Sequence, residues 1–405
     1  MRTESVFEQT MLGLTFSGGV ADLFSSACVA EYERASFTNH DYRLAQVFEP
    51  AVLHEVALLT RTGLSKLENL EGPATRPIMR LREMMEDPLA HPVPTMTSAA
   101  TALISISRFK AASSILNGVS DRRSSSRDNF EIAMLRFVVA NRLGESEGIQ
   151  RAFSAMKTAI EDGGIPPERA MDCCMQAVVW SMKASAIDDL QVSWFVELGQ
   201  RLAAGKGNLR PGIESSWYRA LAMIPAAEGD RTRTVRLMEQ AREAAESAVT
   251  TNPGPYETHL IKTYYESMLK THMFVTRDKE AAVETGLALI ELDPVWSPSL
   301  GELGQALRHF GDFLEAAVWF ERAVNLGAPY YGHHSLAAAE CYRKIGRPDL
   351  AVIHYRAVAE LAPDSPRLAA DGLTVAHESG NSSQITWFEE MSSSAGAGSS
   401  RPHGQ

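Results

Sequence analysis

Apolar residues recur at helical spacing over residues 300–363 and outline two copies of one helical hairpin. In the first copy, Leu303 and Leu307 lie on one face of a helix that ends at Gly311, and Phe320 follows on a second helix. The second copy repeats this order with its own residues, Ser335, Ala338, Ala339, Tyr342, Gly346, Ala351 and Tyr355. The pattern therefore predicts two successive pairs of antiparallel helices.

Small residues alternate with large ones in both copies, and this predicts how the helices pack. Gly304 and Ala316, and likewise Ala339 and Ala351, allow two helices to approach closely. The larger side chains fill the space between one hairpin and the next, and they are Leu307, Phe320, Tyr342 and Tyr355. Because one such hairpin cannot bury its apolar face alone, at least about three must stack.

A weaker version of the same pattern runs along most of the chain. Hairpins are predicted with helices at 95–106 and 108–116, 129–143 and 147–161, 167–184 and 190–203, 213–226 and 231–248, 255–274 and 279–292, and 365–377 and 382–391. With the two clear copies this predicts an all-α fold, an α-solenoid of about eight stacked hairpins over residues 91–391. Residues 1–90 are predicted to form an N-terminal helical region that could cap the stack, and residues 392–405 a disordered tail. The alternative is a helical bundle over about 94–295 with the clear hairpins appended.

The two clear copies resemble the tetratricopeptide repeat (TPR). Gly311 and Gly346 are 35 residues apart, close to the repeat length of about 34 in that family. The order Leu-x2-Leu-Gly-x2-Leu, then Ala-x3-Phe, is similar to the TPR pattern over about 297–363 and degenerate over about 94–391. The resemblance implies that the first helix of each hairpin lines a concave groove in which a protein or peptide partner binds.

Seven polar residues of the clear hairpins are the candidate binding residues of that groove: Gln305, Arg308, His309, His333, Glu340, Arg343 and Lys344. Arg308, Arg343 and Lys344 are predicted to form a basic stripe, which suits a carboxylate or an acidic peptide. The alternative is an ordinary solvated face with no ligand. The Lys and Asn pattern of the TPR domains that bind chaperone tails does not occur in this sequence.

Composition narrows the classes of partner. The chain has 405 residues, is 45% hydrophobic and carries a formal net charge of −11. This charge makes nucleic acid an unlikely partner. No apolar run is long enough to span a membrane, and the four cysteines lack zinc spacing. We therefore expect a soluble, cytoplasmic protein with no membrane partner, and we leave a homo-oligomer open.

No catalytic, metal or cofactor motif emerges from the sequence. Adjacent His333 and His334 do not share a helix face, so a metal site is not predicted there, and the vicinal Cys173 and Cys174 are expected to be buried. The leading hypothesis is a TPR-like scaffold or adaptor rather than an enzyme. Two alternatives remain: the peptide- or ligand-sensing part of a transcriptional regulator, and a non-standard enzyme or accessory subunit in a biosynthetic pathway.

Overall fold

The computed structural model describes residues 86–87, 90–105, 109–119, 125–184, 192–205, 209–251, 255–292, 294, 296–326, 331–361 and 365–398. Within these ranges the regular structure is entirely helical, which confirms the predicted all-α class. The chain divides between residues 267 and 268 into two compact units. We call the described residues up to 267 the N-terminal unit and those from 268 the C-terminal unit. The predicted N-terminal region lies outside the described residues except for Glu86, Asp87 and Ala90.

The described ranges contain sixteen α-helices in succession, as expected for about eight hairpins. The helices that begin in the N-terminal unit are α1 (Val93–Ser105), α2 (Phe109–Gly118), α3 (Ser126–Leu143), α4 (Ser146–Glu161), α5 (Pro167–Ala184), α6 (Val192–Ala204), α7 (Pro211–Glu228), α8 (Arg231–Thr251) and α9 (Pro255–Thr271). Those that follow are α10 (Lys279–Leu292), α11 (Ser297–His309), α12 (Phe313–Asn325), α13 (Tyr331–Lys344), α14 (Pro348–Leu361), α15 (Pro366–Ser379) and α16 (Ser382–Gly398). Odd-numbered helices are the first helices of their hairpins, and even-numbered ones are the second.

The clear hairpins pack as their small and large residues predict. A Cβ on Gly304 would lie only 2.9 Å from the ring of Phe320, so this glycine allows α11 and α12 to approach closely. Ala316, Phe320, Ala339 and Ala351 are completely buried in one continuous core. Gly311 has a φ of 88°, a left-handed conformation that glycine adopts without steric cost. The predicted stops and close contacts of this region are therefore confirmed.

The last hairpin is a third copy of the same unit, which the sequence pattern did not distinguish. A Cβ on Gly372 would lie 2.1 Å from the ring of Phe388, and Phe388 is completely buried. Gly380 has a φ of 66° and ends α15. Gly372 and Phe388 are 16 residues apart, the same separation as Gly304 and Phe320, and Gly380 lies between them as Gly311 does. The C-terminal unit therefore contains three regular hairpins, and the predicted pair at 365–377 and 382–391 is one of them.

Two predicted boundaries are wrong. Helix α16 continues to Gly398, so residues 392–398 are helical and do not belong to a disordered tail; the hydroxyl of Ser392 donates to the carbonyl of Phe388 at 2.8 Å. The α-helix predicted to reach residue 274 ends at Thr271 and continues as a π-helix, His272–Thr276. Residues 399–405 lie outside the described residues.

Packing of first helices differs in the N-terminal unit. Helix α5 packs extensively against α7, the first helix of the next hairpin, while α6 makes few contacts with α7. Arg210, just before α7, donates to both carboxylate oxygens of Glu168 in α5, with Nε at 2.9 Å from Oε1 and Nη2 at 2.9 Å from Oε2. Cys173 and Cys174 of α5 are both fully buried, as predicted, and burial raises the pKa of the Cys174 thiol to about 12.

Candidate functional site

Four of the seven predicted binding residues form one network between α11 and α13. Arg308 donates to the carboxylate of Glu340 on α13 and, at 2.6 Å, to Oε1 of Gln305 one turn earlier on α11. The amide nitrogen of Gln305 lies 3.4 Å from Nε2 of His333. Because the oxygen of Gln305 accepts from Arg308, its nitrogen donates to His333, whose ring proton is then on Nδ1. The network fixes these side chains on the outward face of the two first helices.

Arg343 makes the equivalent connection from α13 to α15. Its Nε donates to Glu378 at 2.9 Å, and its Nη2 donates to the second oxygen of the same carboxylate. Arg308 and Arg343 occupy equivalent places in their hairpins, 35 residues apart. Both therefore already have a carboxylate partner. Two of the three cations of the predicted basic stripe are therefore neutralised. Glu340 was itself a predicted binding residue, but its pairing with Arg308 was not predicted, and Glu378 was not selected.

Cationic side chains join first helices elsewhere in both units. Lys270 lies 3.1 Å from Glu302 of α11. In the N-terminal unit, Arg169 of α5 donates to Glu131 of α3 at 3.0 and 2.6 Å. Within each unit, ion pairs thus connect the first helix of one hairpin to the first helix of the next. We call the exposed part of this row in α11, α13 and α15 the first-helix face; it consists of Gln305, Arg308, His333, Glu340, Arg343 and Glu378.

The other two predicted residues do not join this network. Nε2 of His309 lies 3.0 Å from the carbonyl oxygen of Met273 in the π-helix, so this ring nitrogen donates the hydrogen bond. The ring of Phe274 meets His309 edge-on at 4.9 Å. His309 therefore anchors the π-helix. Lys344 is the last residue of α13 and is exposed.

His333 and His334 are neutral at physiological pH. Burial, and then the positive charge of Arg308, lower the pKa of His333 to about 4. Burial, and then the neighbouring His333, lower the pKa of His334 to about 3. His334 is only 2% exposed and occupies the space beside Gly301, where a Cβ would lie 2.2 Å from its ring. His333 thus contributes to the first-helix face, and His334 to the packing beneath it.

Two cavities lie among helices of the N-terminal unit. The larger, of about 510 Å³, lies between α2 and α4 over α3, and its charged lining residues are Arg136, Glu145, Arg151 and Asp162. The smaller, of about 340 Å³, lies between α6 and α8 over α7. Its lining residues are Gln200, Ala203, Ala204, Trp217, Tyr218, Leu221, Arg233, Arg236, Leu237 and Gln240. Neither cavity was predicted from the sequence, although their lining residues recur at helical spacing along the helices that form them.

The described residues contain neither a group of three or more metal-binding side chains nor a helix with the length and apolar character needed to cross a bilayer.

Comparison with known proteins gives structural likeness only. No protein-family model and no curated protein sequence matches the chain. The apo form of RapI aligns with a TM-score of 0.44 and 10% identity over 75% of this chain and 97% of its own. A human IFIT1 dimer with PPP-AAAA aligns with a TM-score of 0.44 and 11% identity over 96% of this chain and 94% of its own. Such low scores carry no information about function.

The helix pairs, their repeated glycine turns and the connected first helices together define a helical-repeat protein over the described part of the chain.

Proposed function

We propose that the protein is a TPR-like scaffold that binds a protein or peptide partner on the first-helix face. The observation that carries this proposal is the network of Gln305, Arg308, His333 and Glu340. Its side chains are held on an accessible face, while the Gly, Ala and aromatic residues of the same hairpins are used in packing. Side chains that are already fixed lose less conformational entropy when a partner binds.

The chemistry of this face suits a polar, uncharged stretch of peptide. Each arginine is balanced by a glutamate, so an acidic partner would have to displace Glu340 or Glu378 from a charge-assisted hydrogen bond. A peptide backbone offers N–H and C=O groups to the remaining lone pairs and donors without breaking either ion pair. We therefore replace the expected acidic partner by a polar segment bound through its main chain.

The test begins with affinity purification of the full chain from its native cells and identification of co-purified proteins by mass spectrometry. Arg343→Glu is expected to reduce the captured partner at least about tenfold, since it introduces like charges beside Glu378. The double variant Arg343→Glu with Glu378→Arg restores an ion pair of opposite polarity. If the pair only stabilises the fold, the double variant recovers the partner; if the pair contacts the partner, binding stays reduced.

Arg347 offers a matched control. It pairs with Asp349 at 2.8 Å, is more than half exposed and lies in the turn after α13, outside the first-helix face. Arg347→Glu with Asp349→Arg should leave the set of partners unchanged. Capture of the same proteins in the same amounts by wild type and by Arg343→Glu would refute the proposed binding face.

A further inference from the structure

The cavity between α6, α7 and α8 has an unusual chemical lining for an acidic protein. Two arginines, two glutamines and one tyrosine supply its polar groups, and no carboxylate belongs to the described lining. The chain as a whole carries a net charge of −11. The larger cavity over α3 differs, because Glu145 and Asp162 line it together with its two arginines. Only the smaller cavity of this pair therefore has a lining of one charge sign.

Arg236 is the cation with the clearest capacity for a ligand. It is exposed on α8, and no carboxylate in the described part of the chain forms an ion pair with it. Arg233, one turn earlier, is partly neutralised because its Nη1 lies 3.5 Å from Glu228. The lining thus keeps one uncompensated guanidinium, and guanidinium groups bind carboxylates through paired hydrogen bonds.

Tyr218 adds a hydrogen-bond donor to the wall formed by α7. Burial, and then the negative charge of Glu214 one turn earlier, raise the pKa of the Tyr218 phenol. The phenol therefore keeps its proton throughout the physiological range and offers it to an acceptor oxygen. Glu214 is not part of the cavity lining. Gln200 and Gln240 place further amide donors on the two opposite walls.

The floor of the cavity is built by close packing. Trp217 is only 1% exposed, and a Cβ on Gly199 would lie 2.3 Å from its ring. The absence of a side chain on Gly199 thus lets the indole pack directly on α6. A volume of about 340 Å³ falls within the usual range of ligand sites. The donors accordingly surround a fixed apolar base, which favours a ligand with a short apolar stem and an anionic end.

We propose that this cavity binds glutamate side chains from an acidic segment of a partner protein. The carboxylate meets Arg236 and Tyr218, and the methylene groups of the glutamate pack against Ala203 and Ala204 of α6, beside the buried Trp217. This site lies within the N-terminal unit and does not depend on the first-helix face. The sequence predicted an acidic partner at Arg308, Arg343 and Lys344. The proposed site instead binds an acidic segment at Arg236 and Tyr218, which were not among the predicted binding residues.

The test measures binding of a capped octaglutamate peptide carrying fluorescein to the full chain by fluorescence anisotropy. A capped octaglutamine peptide is the neutral comparison. Because the protein is acidic overall, general attraction does not account for binding of a polyanion. We expect octaglutamate to bind at least about tenfold more tightly than octaglutamine, and to weaken as salt is raised.

The variants separate this cavity from other basic surfaces. Arg236→Ala should weaken octaglutamate binding about tenfold and Tyr218→Phe severalfold, since each removes a donor to a charged group. Arg231→Ala is the matched control, because Arg231 is exposed on the same helix but does not line the cavity; it should change binding less than about twofold. Variants of Arg343 should also leave peptide binding unchanged, so this proposal and the proposed function fail independently.

Three outcomes would overturn the proposal: no measurable binding of octaglutamate, equal binding of octaglutamine, or an equal loss in Arg231→Ala and Arg236→Ala. Circular dichroism of each variant confirms that the helical content is retained. A lower affinity in a variant with wild-type helical content then reports on the cavity and not on folding.

Discussion

In the C-terminal unit, long side chains connect the first helices of successive hairpins, whereas in the N-terminal unit the first helix α5 packs directly against the first helix α7. The direct packing closes the space between those two first helices. The gap then falls on the opposite side, between the second helices α6 and α8, where the smaller cavity lies. The same hairpin thus yields a polar face in one unit and a cavity in the other.

The ion pairs that connect first helices also differ between the two units, in how far their carboxylates are exposed to water. Glu131, which binds Arg169 in the N-terminal unit, is 15% exposed, whereas Glu340, which binds Arg308, is 58% exposed. The shielded carboxylate of Glu131 offers less of its surface to a partner than the carboxylate of Glu340 does. An exposed pair contributes little to stability but remains available for recognition. Position in the hairpin alone therefore does not identify a binding residue.

The largest expected effect comes from removing the central aromatic residue of a hairpin. Phe320→Ala should lower the free energy of unfolding by about 3–5 kcal/mol, because it leaves a cavity at a fully buried position beside Gly304. Phe153→Ala should cost a similar amount, since Phe153 is 1% exposed and meets Phe137 and Phe195 at 4.8 and 5.7 Å. Urea unfolding measures the change in the free energy of unfolding for each variant. Hydrogen exchange with mass spectrometry shows which helices lose protection.

Val318→Ala is the control on the same helix, because Val318 is 40% exposed and should cost less than about 1 kcal/mol. Equal losses at Phe320 and Phe153 would show that the less regular unit is packed as well as the regular one. A loss below about 1 kcal/mol at Phe153 would instead make the N-terminal unit the more loosely packed of the two.

The hairpins were predictable because their signals are local. Gly311 and Gly346 follow the ends of α11 and α13 and adopt positive φ angles, which glycine does without steric cost. Helix α8 begins at Arg231, as predicted. The third regular hairpin has comparable signals in Gly380 and Phe388, and both of its helices were predicted, although not as a regular copy. The π-helix at His272–Thr276 had no such signal, because its irregular hydrogen bonds depend on tertiary contacts such as the one from His309.

The candidate site was harder to predict because its properties depend on contacts between hairpins. Gln305, Arg308, His333 and Glu340 were selected from helix-face positions, and they do lie together. The ion pairs of this face were not predictable, since Glu340 and Glu378 lie 32 and 35 residues from their partners Arg308 and Arg343 and the register between hairpins is set by packing. The cavity of α6, α7 and α8 likewise depends on how far apart two second helices lie.

An intermediate effect is expected from pH, and it should come from the C-terminal unit. His333 and His334 have folded-state pKa values of about 4 and 3, below the value of about 6.5 expected in the unfolded chain. The unfolded state therefore binds more protons as the pH falls below about 6.5, and stability decreases. Each histidine should remove about 1 kcal/mol between pH 7.5 and pH 5.5.

Urea unfolding at the two pH values checks this prediction. In His334→Gln the loss between pH 7.5 and 5.5 should be about 1 kcal/mol smaller than in the wild type. His333→Gln provides a second variant at a less buried position, should the substitution of His334 prevent folding. An identical pH dependence in the wild type and both variants would contradict the assignment of these histidines as neutral in the folded chain.

The smallest expected effects distinguish the ion pairs of the two units. A double-mutant cycle with Arg308→Ala and Glu340→Ala should give a coupling of about 0.5 kcal/mol or less, because Glu340 is largely exposed. The same cycle for Arg169 and Glu131 should give about 1 kcal/mol, because that pair is bidentate and its carboxylate is better shielded from water. Raising the salt concentration should weaken the first coupling more than the second. A reversed order would mean that the first-helix face is needed for folding, which would remove the physical reason for treating its ion pairs as available to a partner.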